Sequence, residues 1–133
     1  MTKFPFYWVD AFTAVPYGGN PCAVLLGAEK LPPETMLRIA REMNLSETAF
    51  VGASESEDAD FEARYFTPER EIPLAGHPTI ASVHTLLEAG LSHEDRAHRR
   101  VRAVAREKHL VEGTVLRALQ AARDVLHGCA GLT

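Results

Sequence analysis

Residues 76–90 read GHPTIASVHTLLEAG, and the way this stretch is built decides the fold. Pro78 falls in what would be a first helical turn, where its missing N–H is no loss. Ala81 and Ser82 are small, and Gly90 suits a left-handed stop, so the segment predicts a helix over about 77–89. Ile80, Val83, His84, Leu86 and Leu87 are spread around most of its circumference rather than along one stripe. A helix so apolar is enclosed by its neighbours, not laid on a surface.

Working outward, the preceding chain reads as mixed strand and helix. Phe6 to Phe12 alternates around Trp8 as an opening strand. VPYGGNP (15–21) packs two Pro and two Gly into a tight loop, and Cys22 to Leu26 is a short apolar run fit for a buried strand. Pro32 and Pro33 can open a helix whose face is Met36, Ile39, Ala40 and Met43, with Asn44 as a left-handed stop. Thr48 to Val51 is a strand, 53–60 a polar turn, and Phe61 to Thr67 a strand with one wet face near its start. TPEREIP (67–73) reads as a loop. After Gly90, Ser92 and Asp95 offer a capping box, and Val101, Val104, Val111, Val115, Leu119, Ala122 and Leu126 follow a three/four spacing, broken by Lys108 and Gly113. This reads either as two amphipathic helices or as a non-native stretch that is helix-prone only because it is rich in Ala, Arg and Glu.

The 133 residues suit one modest core, and a composition of 46% apolar and 24% charged is that of a globular protein. A net charge of −4 leaves no footprint for nucleic acid, no apolar run reaches a membrane span, and the start lacks the apolar region of a signal peptide. Cys22 and Cys129 fit neither a disulfide framework nor a metal-ligand spacing, so the chain is expected in the cytoplasm. All eight prolines and all ten aromatics lie before residue 91. Residues 1–90 carry 6 Lys/Arg against 13 Asp/Glu, and residues 91–133 carry 8 against 5. Two kinds of sequence meet there, 1–90 and 91–133.

Glu47 in NLSETAF (44–50) stands out. A carboxylate beside the apolar Ala49–Val51 is costly to desolvate unless it is hydrogen-bonded or performs chemistry. On its own it reads more readily as a junction residue, capped by backbone N–H groups or simply solvated. His77 lies just before the Pro that begins the apolar helix, where backbone N–H groups and the positive helix end suit a carboxylate. It also reads as a loop histidine bonded to a local carbonyl. His84 fits a packed core histidine better than a ligand. Gly18, Gly19 and Asn20 allow close backbone approach to a ligand, though any tight hairpin could look so. Cys22 is a small buried side chain rather than a nucleophile.

Taken in order, VDAFTAVPYGGNPCAVLL, LRIAREMNLSETAFV, ARYFTPEREIPLAGHPT and the helix after them resemble the N-terminal half of the PhzF family over about residues 4–90. These are phenazine-biosynthesis-type isomerases and epimerases on the fold shared with diaminopimelate epimerase. The resemblance implies an α+β lobe in which strands wrap a central helix, matched by residues 77–89. It implies Glu47 as the acid/base carboxylate and His77 as the active-site histidine. Gly76 with the backbone around Pro78 and Thr79 would form a cradle for a substrate carboxylate, and Gly19 and Asn20 would border the cleft. No metal or organic cofactor is expected. The epimerase relatives use paired cysteines, but Cys22 is not at the matching position, so a thiol mechanism is not expected.

Family members have a second half, with the site between the halves, and residues 91–133 do not read as that half. Two readings follow. One is a proton-transferring isomerase on a small carboxylate-bearing substrate, active when another chain supplies the second wall. The other is a non-catalytic lobe that self-associates through apolar surface. Either favours a homodimer, with the helical tail as the expected seam and neither nucleic acid nor membrane as partner.

Overall fold

The computed structural model of the chain describes residues 2–57 and 59–91, together with the backbone of 101–103. Five strands and two helices follow one another through Leu91: β1 (Phe6–Ala11), β2 (Asn20–Leu26), α1 (Pro33–Met43), β3 (Thr48–Ala53), β4 (Phe61–Phe66), β5 (Glu71–Ile72) and α2 (Gly76–Glu88). A further strand, β6 (Val101–Ala103), comes after them. The sheet runs β1-β2-β3-β4-β5. Only the β2–β3 pair in this path is parallel, and α1 is its crossover. Two short strands share the outer edge of β4: β5 lies antiparallel beside Tyr65 and Phe66, and β6 parallel beside Phe61–Ala63.

The period of two along the strands sorts side chains to opposite faces. Cys22, Val24, Leu26, Ala49, Val51, Ala63 and Tyr65 form one core cluster with Ala81 and Leu86 of α2. Leu25, Phe50 and Phe66 face the other way, against Met36 and Ala40 of α1, with the Phe50 and Phe66 rings edge-to-face at 5.4 Å. Each large side chain buried here contributes roughly 1.5–3 kcal/mol before ordering costs.

Both helix ends anticipated from sequence are present. Asn44 closes α1 at φ 52° with its N–H on the Ala40 carbonyl at 3.1 Å. Gly90 is left-handed at φ 67°. Its N–H reaches the Leu87 carbonyl and that of Leu91 the Leu86 carbonyl, both at 3.0 Å, so the two bonds satisfy carbonyls that would otherwise be orphaned.

The expected central helix is the more deeply packed of the two. It touches β1, β2, β3 and β4 and buries Pro78, Thr79, Ala81, Ser82, Thr85 and Leu86, whereas α1 buries Met36 and Ala40. Enclosure is nonetheless one-sided. The small and hydroxylated residues face the sheet and let the backbone come close, while the bulkier Ile80, Val83 and Leu87 lie half-buried on the flank. Two of the three buried hydroxyls bond within the helix: Thr79 Oγ1 donates to the Ala75 carbonyl and Ser82 Oγ to that of Pro78, each at 2.7 Å.

Two local readings need correction. Residues 71–72, taken as loop, pair with β4 as β5, a two-residue strand too short to leave a periodic signal. Val101–Ala103, taken as part of a helix, is the strand β6: an open edge on β4 overrides a weak helical spacing. The rest of the expected helical tail, residues 92–100 and 104–133, lies outside the described residues.

Candidate active site

Glu47 and His77 are brought together by different parts of the fold. The left-handed turn at Asn44 reverses the chain out of α1, and Glu47 is the last residue before β3. The parallel register pairs Ala23 with Thr48, which sets Glu47 next to the Cys22 position of β2. His77 is the second residue of α2, which starts after β5 has turned the chain back from the end of β4. The result is His77 Nε2 at 3.4 Å from Glu47 Oε2, with the side chains 11% and 22% exposed.

These two atoms are themselves buried, and neither makes a hydrogen bond. A buried polar atom without a partner is uncommon and calls for a physical reason. Here two such atoms, a carboxylate oxygen and an imidazole nitrogen, lie close without alignment between them. A general base and its neighbour are often this loose before substrate binds and tightens the contacts. Thr48 Oγ1 and Thr85 Oγ1 are likewise buried and unpartnered.

The start of α2 adds donors. Its N-cap is Ala75, which has no side chain to cap with, and no acidic residue occupies the first turn. Helix geometry leaves the N–H groups of Gly76 and His77 without intrahelical partners. Pro78 has no N–H, and that of Thr79 reaches the Ala75 carbonyl at 3.4 Å. Gly76 is exposed, and a Cβ there would meet nothing within 4 Å, so no packing demand accounts for glycine. Two free N–H groups at a positive helix end suit a carboxylate. Pro78 and Thr79 are buried, and the Thr79 hydroxyl turns inward to the Ala75 carbonyl and the Tyr65 hydroxyl.

Asn20 begins β2 opposite Ala11, at the same end of the sheet as Glu47. Its side chain is exposed and takes no part in the Glu47–His77 contact. Gly19 is required by packing, since a Cβ would collide with the Ala11 carbonyl and Thr13 Cγ2. Tyr17 N–H donates to Asp10 Oδ2 at 3.0 Å, and Phe12 and Tyr17 hold φ 63° and 64°, so the loop is tightly wound and presents both aromatic rings to solvent. His84 is half-buried, two turns beyond His77.

Cys22 is completely buried. Burial pushes its thiol up to about 12; the Ala49 backbone hydrogen bond opposes this and the Glu47 carboxylate adds to it. A thiol so held stays protonated and is no base or nucleophile near neutrality, in line with the sequence reading. Among the described residues no group of three or more His, Cys, Asp or Glu side chains could hold a metal ion. What sequence reading passed over is Tyr65, whose hydroxyl lies beneath the first turn of α2, 2.9 Å from Thr79 Oγ1. Its only signal was a tyrosine at an inward position of a strand.

Known proteins resemble this chain in sequence and in fold. The family PhzC-PhzF, described as phenazine biosynthesis-like protein, matches residues 9–110, continuing past Gly90, where the motifs readable in the sequence stop. The trans-2,3-dihydro-3-hydroxyanthranilate isomerase of Pseudomonas fluorescens is 41% identical over 110 residues, 83% of this chain and 39% of that protein. The crystal structure of a PhzF-family phenazine biosynthesis protein from Bacillus anthracis superposes with a TM-score of 0.63 at 42% identity, covering 70% of this chain and 31% of that one. A predicted epimerase of Pseudomonas aeruginosa gives 0.66 at 27% identity, covering 79% and 36%. The chain spans about a third of the length of the curated relatives it matches. With the match covering most of its residues, the chain belongs to the PhzC-PhzF family of phenazine biosynthesis-like proteins.

Proposed function

We propose that this chain carries the Glu47–His77 side of a cofactor-independent isomerase or epimerase site, which moves a proton at carbon on a small carboxylate-bearing substrate. The observation that carries the reading is the pair of buried atoms Glu47 Oε2 and His77 Nε2, 3.4 Å apart and neither of them hydrogen-bonded, beside an uncapped helix start. In this reading the N–H groups of Gly76 and His77 hold the substrate carboxylate. Glu47 takes a proton from one carbon and returns it to another, and His77 stabilises the charge that develops. Gly19 and Asn20 border the cleft, while Pro78 and Thr79 shape the turn behind it. The named substrate of the Pseudomonas fluorescens relative is an anthranilate, which is a ring carboxylate and fits the same chemistry.

The test is deuterium incorporation from solvent into a panel of cyclic carboxylates, followed by mass spectrometry. The full chain should exchange a carbon-bound proton, and Glu47→Gln should slow this by about 10²–10⁴-fold with stability little changed. Exchange that survives the substitution would move the base elsewhere.

A second reading, a lobe that self-associates without catalysis, draws on a different observation. Phe6, Trp8, Phe12, Val15 and Tyr17 are exposed large apolar side chains along and beyond β1, the end strand of the sheet path. Such surface marks an interface, and a homodimer is part of the proposal under either reading. A cytoplasmic location, read from the sequence, also belongs here; among the described residues no helix is long and apolar enough to cross a membrane. A dimer that shows no exchange on any substrate of the panel would favour this second reading.

A further inference from the structure

We infer that Tyr65 is a positioning residue for the site, holding the first turn of α2 so that the N–H groups of Gly76 and His77 face the cleft. This rests on the reading of that turn as a carboxylate cradle. Tyr65 lies on β4 and is 1% exposed. Its hydroxyl oxygen is 2.9 Å from Thr79 Oγ1, which is itself 2.7 Å from the Ala75 carbonyl oxygen. A carbonyl can only accept, so the Thr79 proton points to Ala75. The Tyr65 hydroxyl is then the donor to Thr79 Oγ1. The relay runs from β4, through one side chain, to the carbonyl of the residue that precedes Gly76.

The position of that relay is informative. Ala75 is the N-cap, and it has no side chain to steady the turn. Its backbone bond to Thr79 N–H is long, at 3.4 Å. Orientation of the Ala75–Gly76 and Gly76–His77 peptides therefore depends on the hydroxyl relay more than on the helix's own first bond. A phenylalanine at position 65 would fill the same core space among Cys22, Ala63 and Ala81. The hydroxyl is thus needed for what it bonds, not for volume. Dipoles held this way by a buried network are fixed before a ligand arrives.

The experiment uses the full chain and nuclear magnetic resonance. Backbone amide signals of Gly76 and His77, and the side-chain nitrogen signals of His77, are recorded in the wild type, Tyr65→Phe, Thr79→Val and Met36→Ala. Met36 lies in the other core cluster, so its variant reports on lost stability alone. Tyr65→Phe and Thr79→Val should each displace the Gly76 and His77 signals, and Met36→Ala should leave them in place. If Tyr65→Phe and Thr79→Val lower stability yet leave those signals where they are, Tyr65 is a core residue only and the inference falls. Benzoate serves as the carboxylate probe for the underlying reading. In the wild type it should shift the Gly76 and His77 amides, with about fivefold weaker affinity in Tyr65→Phe, the size of one lost hydrogen bond. A wild type blind to benzoate refutes the cradle, whereas the substitution-induced displacements still decide the role of Tyr65.

Discussion

Raising the pH should destabilise this protein by an amount set largely by two buried groups, Cys22 and Tyr65. Burial is the main cause in both: it lifts the Cys22 thiol from 9.0 to about 12 and the Tyr65 hydroxyl from 10.0 to about 12, the latter partly offset by hydrogen bonding with Thr79 and Ser82. Each folded value lies above the unfolded one, so the stability linked to it is fully present below the unfolded value and is lost as pH rises toward the folded one. Between pH 9 and 12 the unfolded chain sheds protons that the folded chain retains. At pH 11 this is two pH units' worth for Cys22 and one for Tyr65. At about 1.4 kcal/mol per unit the total is about 4 kcal/mol, a large part of the 5–15 kcal/mol of a typical domain. Cys22→Ala separates the contributions. It should be less stable than wild type by about 1 kcal/mol at pH 8, from lost burial, but should lose stability less steeply above pH 9. The two curves should cross near pH 10. Denaturant midpoints from pH 8 to 11 measure this directly, and Cys129, present in both proteins, cancels from the difference. Parallel curves would show that Cys22 titrates alike in the folded and unfolded chain, so that burial does not hold its proton, and the argument from burial would fall.

Two glycines make opposite predictions. Gly19→Ala drives a Cβ into the Ala11 carbonyl and Thr13 Cγ2, so it should cost about 1–3 kcal/mol, read as a lowered denaturant midpoint. Gly76→Ala meets open space, so stability should hold or rise by up to about 1 kcal/mol, while solvent exchange into the carboxylate panel should fall if the helix start binds substrate. Equal activity in Gly76→Ala and wild type would place the carboxylate elsewhere.

Much of the frame was legible because local chemistry and global packing agree. Pro33 at the start of α1, Asn44 and Gly90 at left-handed stops, and the period-two run from Phe61 to Phe66 each dictate their own conformation. Two elements were not legible, for a shared reason. Strands β5 and β6 are two and three residues long, and they exist because β4 offers an unpaired edge, which no short window of sequence reveals. Enclosure of α2 was read correctly in kind but not in direction. Its circumference is apolar, yet the residues turned to the sheet are Thr79, Ala81, Ser82 and Thr85. Close approach to a sheet selects for small side chains, and the hydroxyls of Thr79 and Ser82 bond back to the helix.

The candidate site shows the same division between what a sequence states and what a fold supplies. Glu47 and His77 were conspicuous one at a time, each with an innocuous alternative. Their 3.4 Å approach follows from a parallel β2–β3 register and from β5, which turns the chain back toward α2. Neither is written next to the residues it positions. Tyr65 is the sharper case: in sequence it is one more aromatic in a strand, and its hydroxyl acquires meaning only when Thr79 arrives above it. Were Tyr65 merely filling space, its oxygen would be a buried polar atom bonded for its own sake. The relay ends instead on the carbonyl of Ala75, immediately before the two N–H groups that no side chain caps. On the proposed reading, a core hydrogen bond that ends beside those N–H groups links the packing of the sheet to the geometry of the carboxylate cradle.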